Sequence, residues 1–372
     1  MNYNFPPKSD QLAIHTVFLP RENVLFIKEW IAYHIRIGVS HFYLYNNKGS
    51  EGDISYHFQS ETKNKYGIDY VSPTKHLKDD DIDSILNGVA EYFYGYVTYV
   101  LWSRKDEKGK VTYAQNESIA HYYNNYAKFY RWTAFIDLDE FIYIKQNEHL
   151  DEYINYCEQK GYNDILMLQK KFADRYVDLN RYVIEISECV DNVDTRNWSP
   201  KHIIKNEFLD GDSLNGRKKT KRWGIHNIPT KSDKIFHAPF DDLRFHHYNV
   251  NEKLLIWMSS KTINNHRFFL NAVDDSMKRY YDFVNHHCLQ KSVPYSSEAS
   301  IKNIVLTRKN QLHHLIFNEP LSFKNIMKPR FIIRMIKELG YKIWRDISEK
   351  PIKTKTLLIF LVTKIIAFTF VQ

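Results

Sequence analysis

The fold is decided by residues 11–45, QLAIHTVFLPRENVLFIKEWIAYHIRIGVSHFYLY. Residues 11–19 are a short apolar run rich in β-branched side chains, which predicts a buried strand. The run at 39–45 predicts a second strand, and the residues between the two runs predict a helix. Strand, helix and strand within so short a stretch form a βαβ unit, so the chain is predicted to be an α/β protein.

The helix prediction rests on the spacing of its apolar side chains. They recur at helical spacing at Ile27, Trp30, Ile31 and His34. Gly38 follows where a helix C-terminus commonly has a glycine. Further strands are predicted at 66–71, 132–137 and 164–169, and a further helix at 115–130.

Composition excludes several protein classes. Of 372 residues, 43% are apolar and 26% charged, which is typical of a globular protein and not of a disordered, collagen-like or polytopic membrane chain. The three cysteines, Cys157, Cys189 and Cys288, have neither the number of a disulfide framework nor the spacing of a zinc site, which predicts a reducing compartment. The N-terminal residues lack the apolar core of a signal peptide, so we expect a cytoplasmic protein.

The net charge of +8 belongs to the C-terminal segment. Residues 324–372 contain 11 basic and three acidic residues, whereas residues 1–323 contain 41 of each. A body without excess positive charge argues against nucleic-acid binding. We therefore predict a catalytic domain at 1–323 and a basic, apolar, helical tail at 324–372.

Four Asp-x-Asp pairs occur in the chain: Asp79/Asp81, Asp81/Asp83, Asp137/Asp139 and Asp210/Asp212. All but the third lie in the polar stretches KDDDIDS and LDGDSLNG. Solvated carboxylates or turn caps are expected in such stretches, so these pairs are predicted to be structural.

The third pair interrupts the apolar segment RWTAFIDLDEFIYI. Asp137, Asp139 and Glu140 are crowded at the carboxyl end of a predicted strand, where burial and mutual repulsion are costly unless a cation neutralises them. Ligands of open α/β sheets gather at this end of the strands, and a divalent metal that also binds diphosphate oxygens would supply the charge. The alternative is that the carboxylates cap a turn and pair with a nearby Arg or Lys.

Three segments resemble, in this order, the motifs of glycosyltransferase family 92 and its bacterial relatives in the glycosyltransferase 2-like clan: RENVLFIKEWIAYHIRIGVSHFYLYNNKGSEGD, WTAFIDLDEFIYI and FHHYNVNEK. The resemblance covers roughly residues 11–260. It implies a Rossmann-like nucleotide-diphospho-sugar transferase (GT-A) fold with a mixed central sheet. It also implies Mn²⁺ or Mg²⁺ bound by Asp137 and Asp139, and transfer with inversion.

The resemblance also suggests residues around the metal. The family's late His-Tyr matches His247-Tyr248, which makes His247 the predicted third metal ligand, with His226 as the alternative. Predicted contacts to the donor nucleotide or its diphosphate are Glu22, Asn23, Asn46, Arg244 and Lys253. For the two basic residues, a solvated side chain is the alternative.

Inversion in one displacement needs a carboxylate base near the acceptor hydroxyl. The candidates are Asp174, Glu185 and Asp191, which follow the acidic motif, and a surface carboxylate is the alternative for each.

These observations predict a glycosyltransferase that moves a hexose from a nucleotide-diphospho-sugar, UDP-linked, to a surface-glycan or lipid-linked saccharide acceptor. Two alternatives remain: a sugar-phosphate phosphotransferase of glycan assembly, and an inactive sugar-binding or scaffolding relative. The second is motivated by two departures from the family pattern, the reversed pair Glu22-Asn23 and Asn46 in place of an Asp.

The tail ends in TLLIFLVTKIIAFTFVQ, which is short for a membrane span and carries Lys364 in its middle. A helix lying on an anionic membrane surface accounts for both its apolar and its basic residues. The alternatives are a helix packed on the body or on a partner subunit, and a true span. The predicted location is the inner face of the cell membrane.

Overall fold

The structure is a computed structural model that describes residues 4–6, 9–50, 77–145, 149–172, 182–190, 196–197, 199–218, 223–231, 233–248 and 272–288. Several predictions from the sequence lie outside these ranges: the strand at 66–71, the tail at 324–372, and the candidate site residues Asp174, Asp191 and Lys253.

Strands and helices alternate along the described residues, as expected for an α/β protein. The strands are β1 (Leu12–Phe18), β2 (His41–Asn46), β3 (Val97–Leu101), β4 (Trp132–Phe135), β5 (Glu140–Ile144), β6 (Asp164–Met167), β7 (Gln169–Phe172), β8 (Glu188–Val190), β9 (Lys201–Lys205), β10 (Ile235–His237), β11 (Leu243–Tyr248) and β12 (Ala272–Val273). The α-helices are α1 (Pro20–Asn23), α2 (Ile27–Arg36), α3 (Asp79–Tyr92), α4 (Gln115–Asn125), α5 (Leu150–Gln159), α6 (Gly211–Leu214) and α7 (Tyr281–Cys288). Short 3₁₀ helices lie at Ala127–Phe129, Val183–Glu185, Asn206–Phe208 and Lys278–Tyr280. None of the helices in the described ranges is long and apolar enough to cross a bilayer.

The larger sheet formed by the described residues has the strand order β10-β6-β9-β4-β1-β2-β3. Strand β1 pairs in parallel with β2 on one side and β4 on the other, and β2 pairs in parallel with β3. Strand β9 runs antiparallel between β4 and β6. The predicted βαβ unit and the mixed central sheet are therefore confirmed.

Helix α2 ends at the glycine that the sequence indicated. Gly38 has a φ of +110°, a left-handed conformation that favours glycine. The N–H of Val39 donates to the carbonyl of His34, and the N–H of Gly38 donates to that of Ile35. This pair of hydrogen bonds is a Schellman motif, which satisfies the last carbonyls of the helix and turns the chain into β2.

A second sheet, again within the described residues, has the order β12-β8-β7-β11-β5. Strand β5 lies at its edge and pairs antiparallel with β11. Because β4 of the first sheet ends at Phe135 and β5 begins at Glu140, residues 136–139 link the two sheets. The acidic segment is this link.

Helix α2 covers the free edge of β5 with three hydrogen-bonding side chains. Trp30 Nε1 donates to the carbonyl of Glu140 at 2.7 Å, and the Tyr33 hydroxyl donates to the carbonyl of Ile142 at 2.6 Å. His34 Nε2 accepts the N–H of Ile142 at 3.2 Å, while its Nδ1 lies 2.8 Å from the carbonyl of Trp30. These contacts satisfy backbone N–H and carbonyl groups of the edge strand β5 that a neighbouring strand would otherwise have to pair.

We expect Tyr33→Phe to lower the free energy of unfolding by about 1–2 kcal/mol, because it removes a buried donor and leaves the carbonyl of Ile142 without it. Tyr33 is 0% exposed. The matched control is Tyr94→Phe, since Tyr94 is 89% exposed and should lose nothing measurable. Urea denaturation of both variants tests this, and equal midpoints would contradict the bracing role of Tyr33.

A candidate active site at the link between the sheets

Asp137, Leu138 and Asp139 lie just past the carboxyl end of β4, between the two sheets. The local conformation is held by the segment itself: the N–H of Asp137 donates to Glu140 Oε2 at 2.8 Å. Leu138 is buried and packs in the hydrophobic core. Asp139 and Glu140 are 6% and 2% exposed, so two of the three carboxylates are largely removed from water.

Lys201 is the cation that the structure places among these carboxylates. Its Nζ lies 2.5 Å from Asp137 Oδ2 and 2.9 Å from Glu140 Oε2, and its side chain is 0% exposed. Lys201 is the first residue of β9, which runs antiparallel to β4, so the start of β9 lies beside the end of β4. Asp137 and Glu140 thus make the contact to a nearby Lys that the alternative interpretation of the acidic motif described.

The ion pairs affect the pKa values of Asp137, Glu140 and Lys201. Burial alone would raise the pKa of Asp137, but Lys201 lowers it below its usual range. Burial raises the pKa of Glu140 to about 7, because Lys201 offsets only part of the desolvation. Burial would lower the pKa of Lys201, yet the two carboxylates raise it, which keeps the ammonium charged.

His247 lies on the other side of the acidic segment, close to Asp139. Strands β11 and β5 pair so that His247 is directly opposite Glu140. His247 Nε2 is 3.4 Å from Asp139 Oδ2, and the N–H of Tyr248 donates to the carbonyl of Asp139 at 2.9 Å. Burial would lower the pKa of His247, but Asp139 raises it above its usual value.

Three further side chains border the cluster. Gln115, at the start of α4, donates from Nε2 to Asp137 Oδ1 at 3.2 Å. The Tyr113 hydroxyl donates to the carbonyl of Val17 at 3.1 Å, and its desolvation together with the nearby carboxylates raises its pKa. His226 lies at the surface, with Nδ1 3.1 Å from the carbonyl of Pro200, and its partial desolvation together with the Lys201 charge lowers its pKa.

Sequence reasoning named neither Lys201 nor Gln115 nor Tyr113. Each comes from a different element, and no motif in the chain marks them. Only the antiparallel pairing of β9 with β4 and the position of α4 bring them to the acidic segment.

The structure places Arg244 away from this cluster. Along β11 the side chains alternate, so Arg244 and His247 lie on opposite faces of the strand. The guanidinium of Arg244 donates to Asp274 Oδ2 and to His246 Nε2, each at 3.0 Å, and stacks on the ring of Tyr143. These contacts make Arg244 part of a buried ion-pair network and not of the acidic site.

The predicted nucleotide contacts at Asn23 and Asn46 are hydrogen-bonded within the fold. Asn23 Oδ1 accepts the N–H of Leu19 at 3.1 Å. Asn46 donates from Nδ2 to the Tyr99 hydroxyl at 2.8 Å and accepts the N–H of Lys48 at 2.9 Å. Both asparagines therefore hold the ends of β1 and β2 in place.

The remaining predicted site residues are divided between the site and the core. Glu22, in α1, is half-buried and close enough to Tyr113 to affect its pKa, which places it at the margin of the acidic site. Glu185 accepts the N–H of Tyr182 at 2.7 Å and so caps a short 3₁₀ helix. Of the three base candidates, it is the one whose contacts the described residues show.

The other Asp-x-Asp pairs have the structural roles that the sequence predicted. Asp81 Oδ2 accepts the N–H of Lys78 at the start of α3, and Asp83 pairs with Lys48 at 2.6 Å. Asp210, which directly precedes the short helix α6, accepts the hydroxyl of Ser213 at 2.6 Å.

The acidic segment lacks the ligands of a self-sufficient metal site. Within the described ranges, no three His, Cys, Asp or Glu side chains are arranged to hold a metal ion by themselves. Asp139 and His247 do face each other with an oxygen and an imidazole nitrogen 3.4 Å apart. Such a pair fits Mn²⁺ or Mg²⁺ if the substrate supplies further oxygen ligands.

Residues 61–279 match the model of glycosyltransferase family 92. A family 92 protein of Oryza sativa subsp. japonica is 25% identical over 152 residues, which cover 41% of this chain and 19% of the rice protein. A family 92 protein of Ricinus communis is 23% identical over 157 residues, which cover 42% of this chain and 21% of that protein. The matched stretch thus spans about a fifth of the length of these curated relatives.

Solved structures show weaker likeness. The Staphylococcus aureus TarS fragment 1–349 in complex with UDP-GlcNAc is 10% identical with a TM-score of 0.30, covering 90% of this chain and 80% of that one. Core-mannan synthase A from Aspergillus fumigatus in its Mn/GDP form is 11% identical with a TM-score of 0.33, and the match covers 64% of this chain and 74% of that one. Scores this low carry no argument about the site.

Proposed function

The chain belongs to glycosyltransferase family 92, and on this premise we propose that it moves a hexose from a UDP-linked sugar to a surface-glycan or lipid-linked saccharide acceptor, with inversion. The family and enzyme class expected from the sequence motifs are confirmed by the family match. The observation that supports the reaction is the convergence of Asp137, Asp139 and His247 at the link between the sheets.

A divalent cation, Mn²⁺ or Mg²⁺, is part of the proposal. Asp137, Asp139 and His247 would hold it, because Asp139 Oδ2 and His247 Nε2 lie 3.4 Å apart and Asp137 belongs to the same acidic segment. When bound, such a cation stabilises the negative charge that develops on a departing diphosphate.

The chain's own residues position this site in three ways. Lys201 and Gln115 hold the two oxygens of Asp137, at 2.5 and 3.2 Å. The pairing of β11 with β5 fixes His247 beside Asp139. Tyr113 ties the loop before α4 to the end of β1 at the same edge of the sheet. We keep Asp174, Glu185 and Asp191 as the candidate bases.

Incubation with a panel of nucleotide sugars, with Mn²⁺ or with a chelator, tests the proposal. We expect release of a free nucleoside diphosphate that depends on Mn²⁺ and increases when acceptor saccharides are added. A nucleoside monophosphate or a phosphorylated glycan would favour the sugar-phosphate phosphotransferase. No metal-dependent hydrolysis with any donor would favour an inactive sugar-binding relative.

We also propose that the tail at 324–372 holds the enzyme on an anionic membrane at the inner face of the cell membrane. The support is the tail's charge of +8 beside a neutral body. Deleting 324–372 should release the protein from anionic liposomes at low salt and lower transfer to a lipid-linked acceptor more than to a soluble analogue. Unchanged liposome binding, or an unfolded truncation, would contradict this role.

A further inference from the structure

A polar cleft lies along helix α4, between this helix, the short helix α6 and Trp223. Its volume is about 470 Å³, which is within the range of small-molecule sites. We propose that this α4 cleft binds the saccharide acceptor, as a neutral chain of at least two sugar units that lies along α4. The inference rests on the proposed function, because it names the substrate that the transfer reaction would modify.

The lining of the α4 cleft matches the hydrogen-bonding pattern of a sugar. Among the described residues that line it, the charged ones are Arg104 and Glu117, which have opposite signs. Most of the other polar groups in the lining are side-chain amides, from Asn116, Asn124, Asn125 and Asn215. An amide both donates and accepts hydrogen bonds, and so does a sugar hydroxyl. Because Glu117 balances Arg104, this lining suits a neutral polyhydroxylated ligand better than a phosphate or an apolar molecule.

Arg104 and Glu117 can both bind a ligand without first breaking an internal contact. Both side chains are exposed, and in the described part of the chain neither the carboxylate of Glu117 nor the guanidinium of Arg104 has a hydrogen bond or an ion pair. The guanidinium of Arg104 instead lies over the ring of Trp102, 4.7 Å from its centroid. Stacking leaves the N–H groups of a guanidinium directed outward in its own plane, where they can donate to hydroxyls.

His121 also lines the α4 cleft, and the core behind it holds its ring in place. Its Nδ1 lies 3.0 Å from the hydroxyl of Tyr45 in β2, and its ring packs against Trp102. Burial and the charge of Arg104 lower the pKa of His121, so the imidazole is neutral at pH 7. Its Nε2 has no partner among the described residues and can exchange a hydrogen bond with a sugar hydroxyl in either tautomer.

Close packing of α6 on α4 makes the cleft a preformed one. A Cβ added to Gly211, the first residue of α6, would lie 2.5 Å from the Tyr123 hydroxyl, so only a glycine allows this approach. The amides of Asn124 and Asn215 donate to each other across the two helices, at 2.8 and 3.2 Å. A preformed site lowers the entropic cost of binding.

One end of the α4 cleft adjoins the acidic segment. Gln115 donates to Asp137 Oδ1 at 3.2 Å, and the next residue, Asn116, lines the cleft and donates to the carbonyl of Trp223 at 3.0 Å. From Asn116 to Asn124 the helix rises by about 12 Å, which is longer than one sugar ring. A saccharide lying along α4 would therefore have one end near Asp137 and the rest of its chain in the cleft. Trp223, which is half-buried, offers an aromatic surface on which the C–H groups of a sugar ring can pack.

The test is the binding of neutral oligosaccharides to the full chain, without donor and without metal. An array of neutral glycans identifies the ligand that binds most tightly, and calorimetry measures its dissociation constant. We expect Glu117→Gln to weaken binding at least about tenfold, because a hydrogen bond to a charged group is lost. Trp223→Ala should weaken it at least about fivefold. The monosaccharide from the end of that ligand should bind more weakly than the intact chain.

Glu152→Gln is the matched control for Glu117→Gln. Glu152 is likewise an exposed glutamate in the first turn of a helix, α5, and it does not line the α4 cleft. Its variant should bind the saccharide as tightly as the unmodified chain. Because Glu117 is exposed, Glu117→Gln decides the question even if Trp223→Ala fails to fold.

Binding to no glycan of the array would overturn the proposal, and so would equal affinities of Glu117→Gln and Glu152→Gln. Nucleoside diphosphate release by the unmodified chain reports on the proposed function separately. Saccharide binding without this release would contradict the transferase and leave the cleft assignment standing. Release without saccharide binding would contradict the cleft assignment alone.

Discussion

Asp139→Asn should lower the rate of nucleoside diphosphate release by at least about 100-fold, because loss of one preorganised charge at a departing group costs roughly that much. Asp139 is 6% exposed, and its Oδ2 lies 3.4 Å from His247 Nε2. The variant should also lose the response of donor binding to Mn²⁺. Turnover with the donor identified by the nucleotide-sugar panel measures both effects.

Asp212→Asn is the matched control for this variant. Asp212 is the second aspartate of another Asp-x-Asp pair, and its side chain is 69% exposed with Arg217 3.9 Å away. We expect its turnover to equal that of the unmodified enzyme. Near-normal turnover of Asp139→Asn would show that the acidic motif is not the catalytic centre.

Lys201→Met should lower the free energy of unfolding, in the presence of a chelator, by about 3–5 kcal/mol, the usual cost of removing one partner of a buried ion pair. The variant leaves Asp137 and Glu140 beside each other without the ammonium that both contact. Mn²⁺ should restore much of this loss, because a metal can replace the missing charge. Thermal and urea denaturation with chelator and with Mn²⁺ measure the two effects.

Lys205→Met provides the control, since it removes the same side chain from the same strand. Its ion pairs with Glu158 and Glu207 lie at a partly exposed position, where such pairs contribute about 1 kcal/mol or less. If the two lysine variants lose equal stability, Lys201 has no special relation to the acidic motif.

The framework of the fold was predictable because its signals are local. The apolar run of β1, the helical spacing of α2 and the glycine at its end are all read within residues 11–45, and the structure confirms each of them. The acidic segment was predictable for a different reason. Carboxylates that interrupt an apolar run indicate a neutralising partner, whatever that partner is.

The identity of that partner was not predictable, because Lys201 is separated from Asp137 by 64 residues and belongs to a strand of opposite direction. The chain has many lysines, and no local pattern distinguishes this one. The effect of removing Asp137 on stability therefore changes sign. Without Lys201, the removal would relieve repulsion between carboxylates and stabilise the fold. With Lys201 present, it removes an ion-pair partner from a buried ammonium and destabilises the fold.

Arg244 illustrates a signal that the sequence did contain. Arg244 and His247 are three residues apart, and a strand sends such residues to opposite faces. Both were expected at the donor site, although only one of them could lie there once β11 was a strand. The structure places His247 beside Asp139 and Arg244 beside Asp274.

The string Glu-Trp-x-x-Tyr-His in α2 has a structural role, because Trp30, Tyr33 and His34 all form hydrogen bonds with the backbone of β5. Conservation of this string among relatives would follow from the requirements of folding and not from those of catalysis. An inactive relative would therefore keep these three α2 residues while Asp139 is replaced by other residues. Sequence searches for active enzymes of this kind should therefore use Asp139 and His247 as the criterion and not the Glu-Trp-x-x-Tyr-His string of α2.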